Sequence, residues 1–197
     1  QYGPAPIGES EQPAKGGVAP DWLADRLAKS GVEGREAEAL LDRAPLDIRV
    51  NALKAARATL VLPVEAEPTA APHGLRLPTG TQVEQWPEFR DGKIEVQDTG
   101  SQIACLALAA QPGETVIDLC AGGGGKTLAL AAAMDGLGRL LASDTDRGRL
   151  SRLKPRAERA GADMIETRLL DPKREMDALA DLVGQADAVL VDAPCSG

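Results

Sequence analysis

The stretch Thr115-Val-Ile-Asp-Leu-Cys-Ala-Gly-Gly-Gly-Gly-Lys-Thr127 decides how the rest of the chain is read. Val116 to Leu119 is an apolar run of the kind that fills a parallel strand buried on both faces, and Asp118 stands near its end. Gly122 to Gly125 follow at once, and backbone without a Cβ can approach a ligand closely. From Thr127 to Met134 the alanine-rich sequence predicts a helix whose N-terminus faces that ligand. Strand, glycine loop and helix together predict a site for a nucleotide-type cofactor.

Spacing separates three readings of the loop. A P-loop needs Gly, four residues, then Gly-Lys-Ser/Thr; with Gly125-Lys126-Thr127 fixed, the first glycine belongs at the position of Cys120. A dinucleotide fingerprint built on Gly122 and Gly124 needs its third glycine where Thr127 stands. The S-adenosylmethionine loop of a Rossmann-like methyltransferase asks only for an acid at the strand end and a run of small residues, and Cys120, Ala121, Gly122, Gly123, Gly124, Gly125 and Lys126 supply it.

Acids recur downstream at the spacing of a βαβ repeat. Arg139 to Asp144 is a second strand, and Asp144 falls roughly the 20 residues further on where an adenosine-binding fold places a carboxylate for the ribose hydroxyls. Asp144 or Asp146 could instead cap the helix that runs through Leu150 and Leu153. A third strand around Met164 to Thr167 leads to Asp171, a candidate for the adenine amino group and equally an ordinary Asp-Pro turn. The fourth, Ala188 to Asp192, opens onto Ala193-Pro194-Cys195-Ser196-Gly197, which puts a thiol at the carboxyl edge of the sheet, where open α/β sheets bind ligands.

Asp-Leu-Cys-Ala-Gly-Gly-Gly-Gly-Lys-Thr, Ser-Asp-Thr-Asp-Arg and Asp-Ala-Pro-Cys-Ser-Gly, in that order, resemble the Nop/Sun family of RNA cytosine-5 methyltransferases. Ile48-Arg-Val-Asn-Ala-Leu-Lys54 and Val96-Gln-Asp-Thr-Gly-Ser-Gln102 resemble its lead-in segments, so the likeness spans roughly residues 20 to 197. Members commonly carry Ala-Pro where this chain has Gly122 and Gly123; losing proline loosens the loop but removes no hydrogen-bond donor. The resemblance implies an α/β fold: a Rossmann-like class I methyltransferase core, its parallel sheet cut short at the C-terminus, behind a small α+β RNA-binding module. It implies S-adenosylmethionine as cofactor and RNA, ribosomal RNA above all, as partner. P-loop NTPase chemistry and a non-catalytic RNA-binding protein with a vestigial cofactor fold remain the competing readings.

Cytosine-5 methylation accounts for these residue types. Carbon 5 is a poor nucleophile until a thiolate adds at carbon 6; afterwards the carbon-5 proton must leave and the thiol must be eliminated. In the resembling family the attacking thiol belongs to a later Thr-Cys motif, a pair this chain does not contain, and the Pro-Cys thiol assists product release. That makes Cys195 the release cysteine and Asp192 the acid that holds the cytosine beside the methionine end of the cofactor. DNA cytosine-5 methyltransferases use a Pro-Cys thiol as the nucleophile itself, and a buried packing thiol is the plain alternative. Cys105, within an expected helix from Ser101 to Ala110, reads as such a packing thiol.

With 43% hydrophobic residues the 197-residue chain can bury a core. Three cysteines and His73 alone argue against a disulfide framework or a metal site and fit a reducing cytoplasm. No apolar run approaches the ~20 residues of a membrane span, and a monomer is expected. The net charge of −8 weighs against nucleic acid, although Arg147, Arg149, Arg152, Lys154, Arg156 and Arg159 crowd one segment. That run reads better as a solvated helix face than as an RNA surface. The expected domains are a tail over 1–20, the small module over 21–95 and the methyltransferase part from 96. The module is expected to hold a helix from Asp21 to Leu41 capped by Asp21 and broken near Gly31 to Gly34, a strand Leu46 to Val50, a helix Lys54 to Leu60, and short strands to Gln97. By resemblance, Arg49, Asn51 and Lys54 are its RNA contacts; Trp86 and Phe89 read better as core anchors than as base-stacking groups.

Overall fold

The computed structural model describes residues 17–42 and 44–193. These fall into two compact units, one up to Ala44 and one from Pro45. The first holds α1 (Asp21–Lys29) and α2 (Arg35–Ala39), separated where Gly31 and Gly34 take positive φ. The break falls where the sequence places it, but Asp21 is not the cap. Pro20 precedes the helix and its carbonyl accepts from Leu23 and Ala24 N–H, so Asp21 lies in the first turn, where its charge suits the helix dipole.

The second unit begins with an antiparallel sheet. Its strands are β1 (Leu46–Val50), β2 (Glu67–Pro68), β3 (Gly74–Leu77) and, after the short helix α3 (Pro87–Arg90), β4 (Ile94–Val96), in the order β2-β3-β1-β4. Side chains alternate across a strand, and β1 uses both of its faces. Ile48 and Val50 join Leu75, Leu77, Val83 and Ile94 in one core, with Trp86 and Phe89 packed against it. Asp47, Arg49 and Asn51 occupy the opposite face and are also buried.

The helix α4 (Thr99–Ala107) leads into a parallel sheet of β5 (Thr115–Asp118), β6 (Arg139–Asp144), β7 (Ile165–Leu169) and β8 (Ala188–Leu190). Between them run α5 (Gly125–Ala133), α6 (Arg147–Leu150), α7 (Leu153–Ala160) and α8 (Glu175–Ala178). Order is β7-β6-β5-β8, so the chain moves outward from β5 and returns on its other side. Val116, Leu128, Leu130, Met134, Leu140 and Leu153 fill one face, and Ile117, Leu141, Leu170 and Leu182 the other, which explains the unbroken apolar character of the strands.

Two expectations need correction. Lys54 to Leu60 is a pair of turns, not a helix: the Asn51 side chain accepts from Leu53 N–H, and Lys54 is drawn to carbonyls elsewhere. The boundary expected after residue 95 falls inside β4, within one compact unit.

Candidate functional site

All four strands of the parallel sheet end at the same edge, and the reversal of order beside β5 opens a crevice there, the place where open α/β sheets bind ligands. Two adjoining clefts occupy it. The larger, of about 1030 Å³, lies between the loop after β5 and the ends of β6 and β7; the smaller, of about 330 Å³, reaches the start of α4. Cys120, Ala121 and Asp192 line both.

The glycine loop is shaped by its backbone. Gly122 and Gly124 have φ of +55° and +86°, and a Cβ on Gly124 would stand 2.1 Å from Leu153 Cδ1. Gly122 N–H donates to Asp144 Oδ2 at 2.8 Å, and Asp146 N–H donates to Asp144 Oδ1 at 2.7 Å. Asp146 itself caps α6 by accepting from Arg149 N–H. Asp146 thus takes the cap of α6, and Asp144 lines the larger cleft while fixing the loop.

Asp118 lies fully buried beneath the loop. Thr127 Oγ1 donates to its Oδ2 at 2.7 Å, while Oδ1 has no partner. Burial raises its pKa to about 6, more than the Thr127 hydrogen bond and the nearby Lys126 charge lower it. Lys126, second residue of α5, extends its ammonium away from the loop, donating to Asp192 Oδ2 at 2.6 Å and to Ser101 Oγ at 3.2 Å. Partial burial works against that charge, but the Asp192 carboxylate outweighs it and the lysine pKa rises. Sequence reading missed Ser101 and Asp98, which line the smaller cleft beside Lys126; the segment from Val96 to Gln102 was the available signal.

Asp171 stands exposed just beyond β7, its carbonyl accepting from Arg174 N–H, and Leu170 rather than Asp171 lines the larger cleft. Cys120 is half-buried, and burial together with the carboxylates of Asp144, Asp118 and Asp192 pushes its thiol pKa up, which disfavours a reactive thiolate there. Cys105 is buried with its pKa raised to about 11 by desolvation, in keeping with a packing role. Cys195 lies outside the described residues.

Of the three residues expected to touch RNA, Arg49 and Asn51 face inward, whereas Lys54 is exposed. Arg49 and Asn51 are 5% and 2% exposed. Arg49 Nε donates to Gln97 Oε1 at 2.7 Å, and desolvation lowers its pKa to about 10. Asn51 Nδ2 donates to the carbonyls of Gly92 and Ala160, both at 2.8 Å. Lys54 Nζ donates to Arg159 O at 2.6 Å and to Asp91 O at 2.9 Å, a favourable place for a cation at the end of α7. Asp47, next on the same face, accepts from Arg76 and from Thr99 at the start of α4. This alternating polar face stitches the antiparallel sheet to α4 and α7. The basic run is likewise divided: Arg156 and Arg159 pair with buried Glu95, and Arg159 lies 4.2 Å over the Phe89 ring, whereas Arg147, Arg149, Arg152 and Lys154 are exposed.

No helix among the described residues is long and apolar enough to cross a membrane. The sequence profile of the family described as 16S rRNA methyltransferase RsmB/F matches residues 105–197. The chain is 34% identical over 185 residues to ribosomal RNA small subunit methyltransferase B of Pasteurella multocida, covering 90% of this chain and 41% of that protein. It therefore spans about two fifths of the length of the curated relatives it matches. Among solved structures, PH0851 superposes with a TM-score of 0.76 at 32% identity over 95% of this chain and 46% of its own. A methyltransferase homolog protein from Pyrococcus horikoshii gives 0.73 at 28% identity over 91% and 65%. The order of its motifs, its Rossmann-like sheet and these likenesses together make the chain similar to methyltransferases of the Nop/Sun family.

Proposed function

We propose that the protein transfers a methyl group from S-adenosylmethionine to carbon 5 of a cytosine in RNA, with small-subunit ribosomal RNA, named in its relatives, as the substrate. The observation that carries this reading is the contact between Lys126 and Asp192, which ties the glycine-loop helix to the Asp-Ala-Pro-Cys acid where the two clefts meet.

Charge supports this cofactor over a nucleoside triphosphate. Asp118, Asp144 and Asp192 surround the loop, and Lys126, which a P-loop would aim at phosphate, is engaged by Asp192. Such an acidic surround repels phosphates and favours a cation. Once bound, S-adenosylmethionine supplies an electrophilic methyl group on a positively charged sulfur. Each Asp144 oxygen accepts one backbone amide and keeps a lone pair for a ribose hydroxyl. Asp192, half-exposed between the clefts, is placed to accept from the exocyclic amine of a cytosine in the smaller cleft, with Lys126 and Ser101 fixing its position. Cys195, three residues beyond Asp192, is assigned to product release, and the attacking thiolate to a Thr-Cys motif of the full-length protein, both by resemblance.

The test uses the full-length protein, isotopically labelled S-adenosylmethionine and small-subunit ribosomal RNA. Label is expected in 5-methylcytosine, and Cys195→Ala should accumulate a covalent protein–RNA adduct because elimination fails. Binding of RNA without methyl transfer would favour the non-catalytic reading, and magnesium-dependent nucleotide binding the P-loop reading. Full turnover of Cys195→Ala without an adduct would overturn the role of that cysteine alone.

A further inference from the structure

The glycine loop is held from outside by the antiparallel sheet, and we infer that Arg156 is a positioning residue that pre-forms this loop for its cofactor. Glu95 and Gln97 stand two apart on one strand segment and so project from the same face. Glu95 is linked through Arg156 to one loop carbonyl, and Gln97 reaches another, two residues on, directly. Arg156 Nη1 donates to Gly123 O at 2.5 Å while its Nη2 donates to Glu95 Oε2 at 2.9 Å. Gln97 Nε2 donates to Gly125 O at 3.3 Å, with Arg49 holding its other amide atom. Glu95 and Gln97 are 3% and 7% exposed, so the strand-borne ends of these ties are buried.

Four successive glycines carry the largest ordering entropy a loop of this length can have. This chain lacks the proline that would restrict residue 123, and the strand-borne ties do the equivalent work: fixing the carbonyls of Gly123 and Gly125 fixes the peptide planes that also carry the amides of Gly124 and Lys126. Proline at position 123 would cost no described hydrogen bond, since the Gly123 N–H has no partner among them, and the Gly123 φ is not positive.

This inference rests on the loop being the S-adenosylmethionine site, and calorimetry on the full-length protein separates the two. If the unmodified protein binds no S-adenosylmethionine, the functional reading fails. Given binding, Arg156→Ala should weaken it about tenfold, from ordering roughly one further residue on binding, with a less favourable binding entropy and an unchanged turnover number at saturating cofactor. Adding Gly123→Pro to Arg156→Ala should restore most of the lost affinity. Arg159→Ala removes the other arginine on Glu95 without touching the loop, so it should lower thermal stability and leave cofactor affinity intact. Equal affinity in Arg156→Ala and the unmodified protein would overturn the inference, as would equal losses in Arg156→Ala and Arg159→Ala or failure of proline to rescue.

Discussion

Two polar clusters of this molecule look alike in sequence and behave oppositely in three dimensions. At the carboxyl edge of the parallel sheet, Asp144 and Asp192 open onto clefts and Asp118 keeps a carboxylate oxygen without a partner. At the seam between the antiparallel sheet and α7, Asn51 and Lys54 spend their polar groups on backbone carbonyls of the same chain. Asp144 and Asp192 face the clefts with capacity to spare, whereas Asn51 uses both of its amide hydrogens within the fold. A polar motif residue therefore signals ligand binding only where its capacity is left over.

Substitutions should separate these clusters, the seam losing stability and the sheet edge losing affinity. The largest effect is expected at Gly92, where φ is +71° and a Cβ would stand 2.0 Å from Arg159 O. Gly92→Ala should cost about 4 kcal/mol in denaturant unfolding, since both backbone strain and a backbone clash must be relieved. Asp144→Ala should raise the S-adenosylmethionine dissociation constant roughly a hundredfold, about 2.7 kcal/mol, with a smaller loss of stability. An unchanged affinity would remove the ribose assignment. Asn51→Ala leaves two buried carbonyls without a donor and should cost about 2 kcal/mol of stability, while cofactor affinity of the folded protein stays within twofold. A large affinity change there would mean the seam is part of the site.

The remaining effect depends on pH. Asp118 has a folded pKa of about 6 against 3.8 for the free side chain. Between those values the folded state holds a proton that the unfolded state has released, so rising pH removes stability until Asp118 is ionised in both. Asp118→Asn should therefore gain stability relative to the unmodified protein as pH rises from about 4 to 6.5, by roughly 2 kcal/mol. A constant difference across that range would show that burial does not control this carboxylate.

Much of the sheet edge was legible because it depends on local order. Parallel strands are continuous apolar runs, their acids fall at predictable ends, and β1 and β6 have the bounds their sequences suggest. Asp144 and Asp146 were not separable by spacing; the folded backbone decides that Arg149 N–H reaches one and Gly122 N–H the other. Arg49, Asn51 and Lys54 are expected as RNA contacts by resemblance alone. Nothing local to them reveals that the carbonyls of Arg159 and Ala160 wait more than a hundred positions along the chain.

The sequence by itself determined the order of strands and motifs, the acids at their ends, and the glycine loop's lack of room for a P-loop or dinucleotide fingerprint. Hydrophobic periodicity and motif spacing are properties of neighbouring residues, so they survive without coordinates. Tertiary structure decided which polar groups remain available, through burial and partners distant in sequence. It turned Arg49 and Asn51 and two of the six residues of the basic run inward, paired Lys126 with Asp192, and joined Arg156 to the glycine loop, because a buried charge or amide is stable only when the fold brings it a partner.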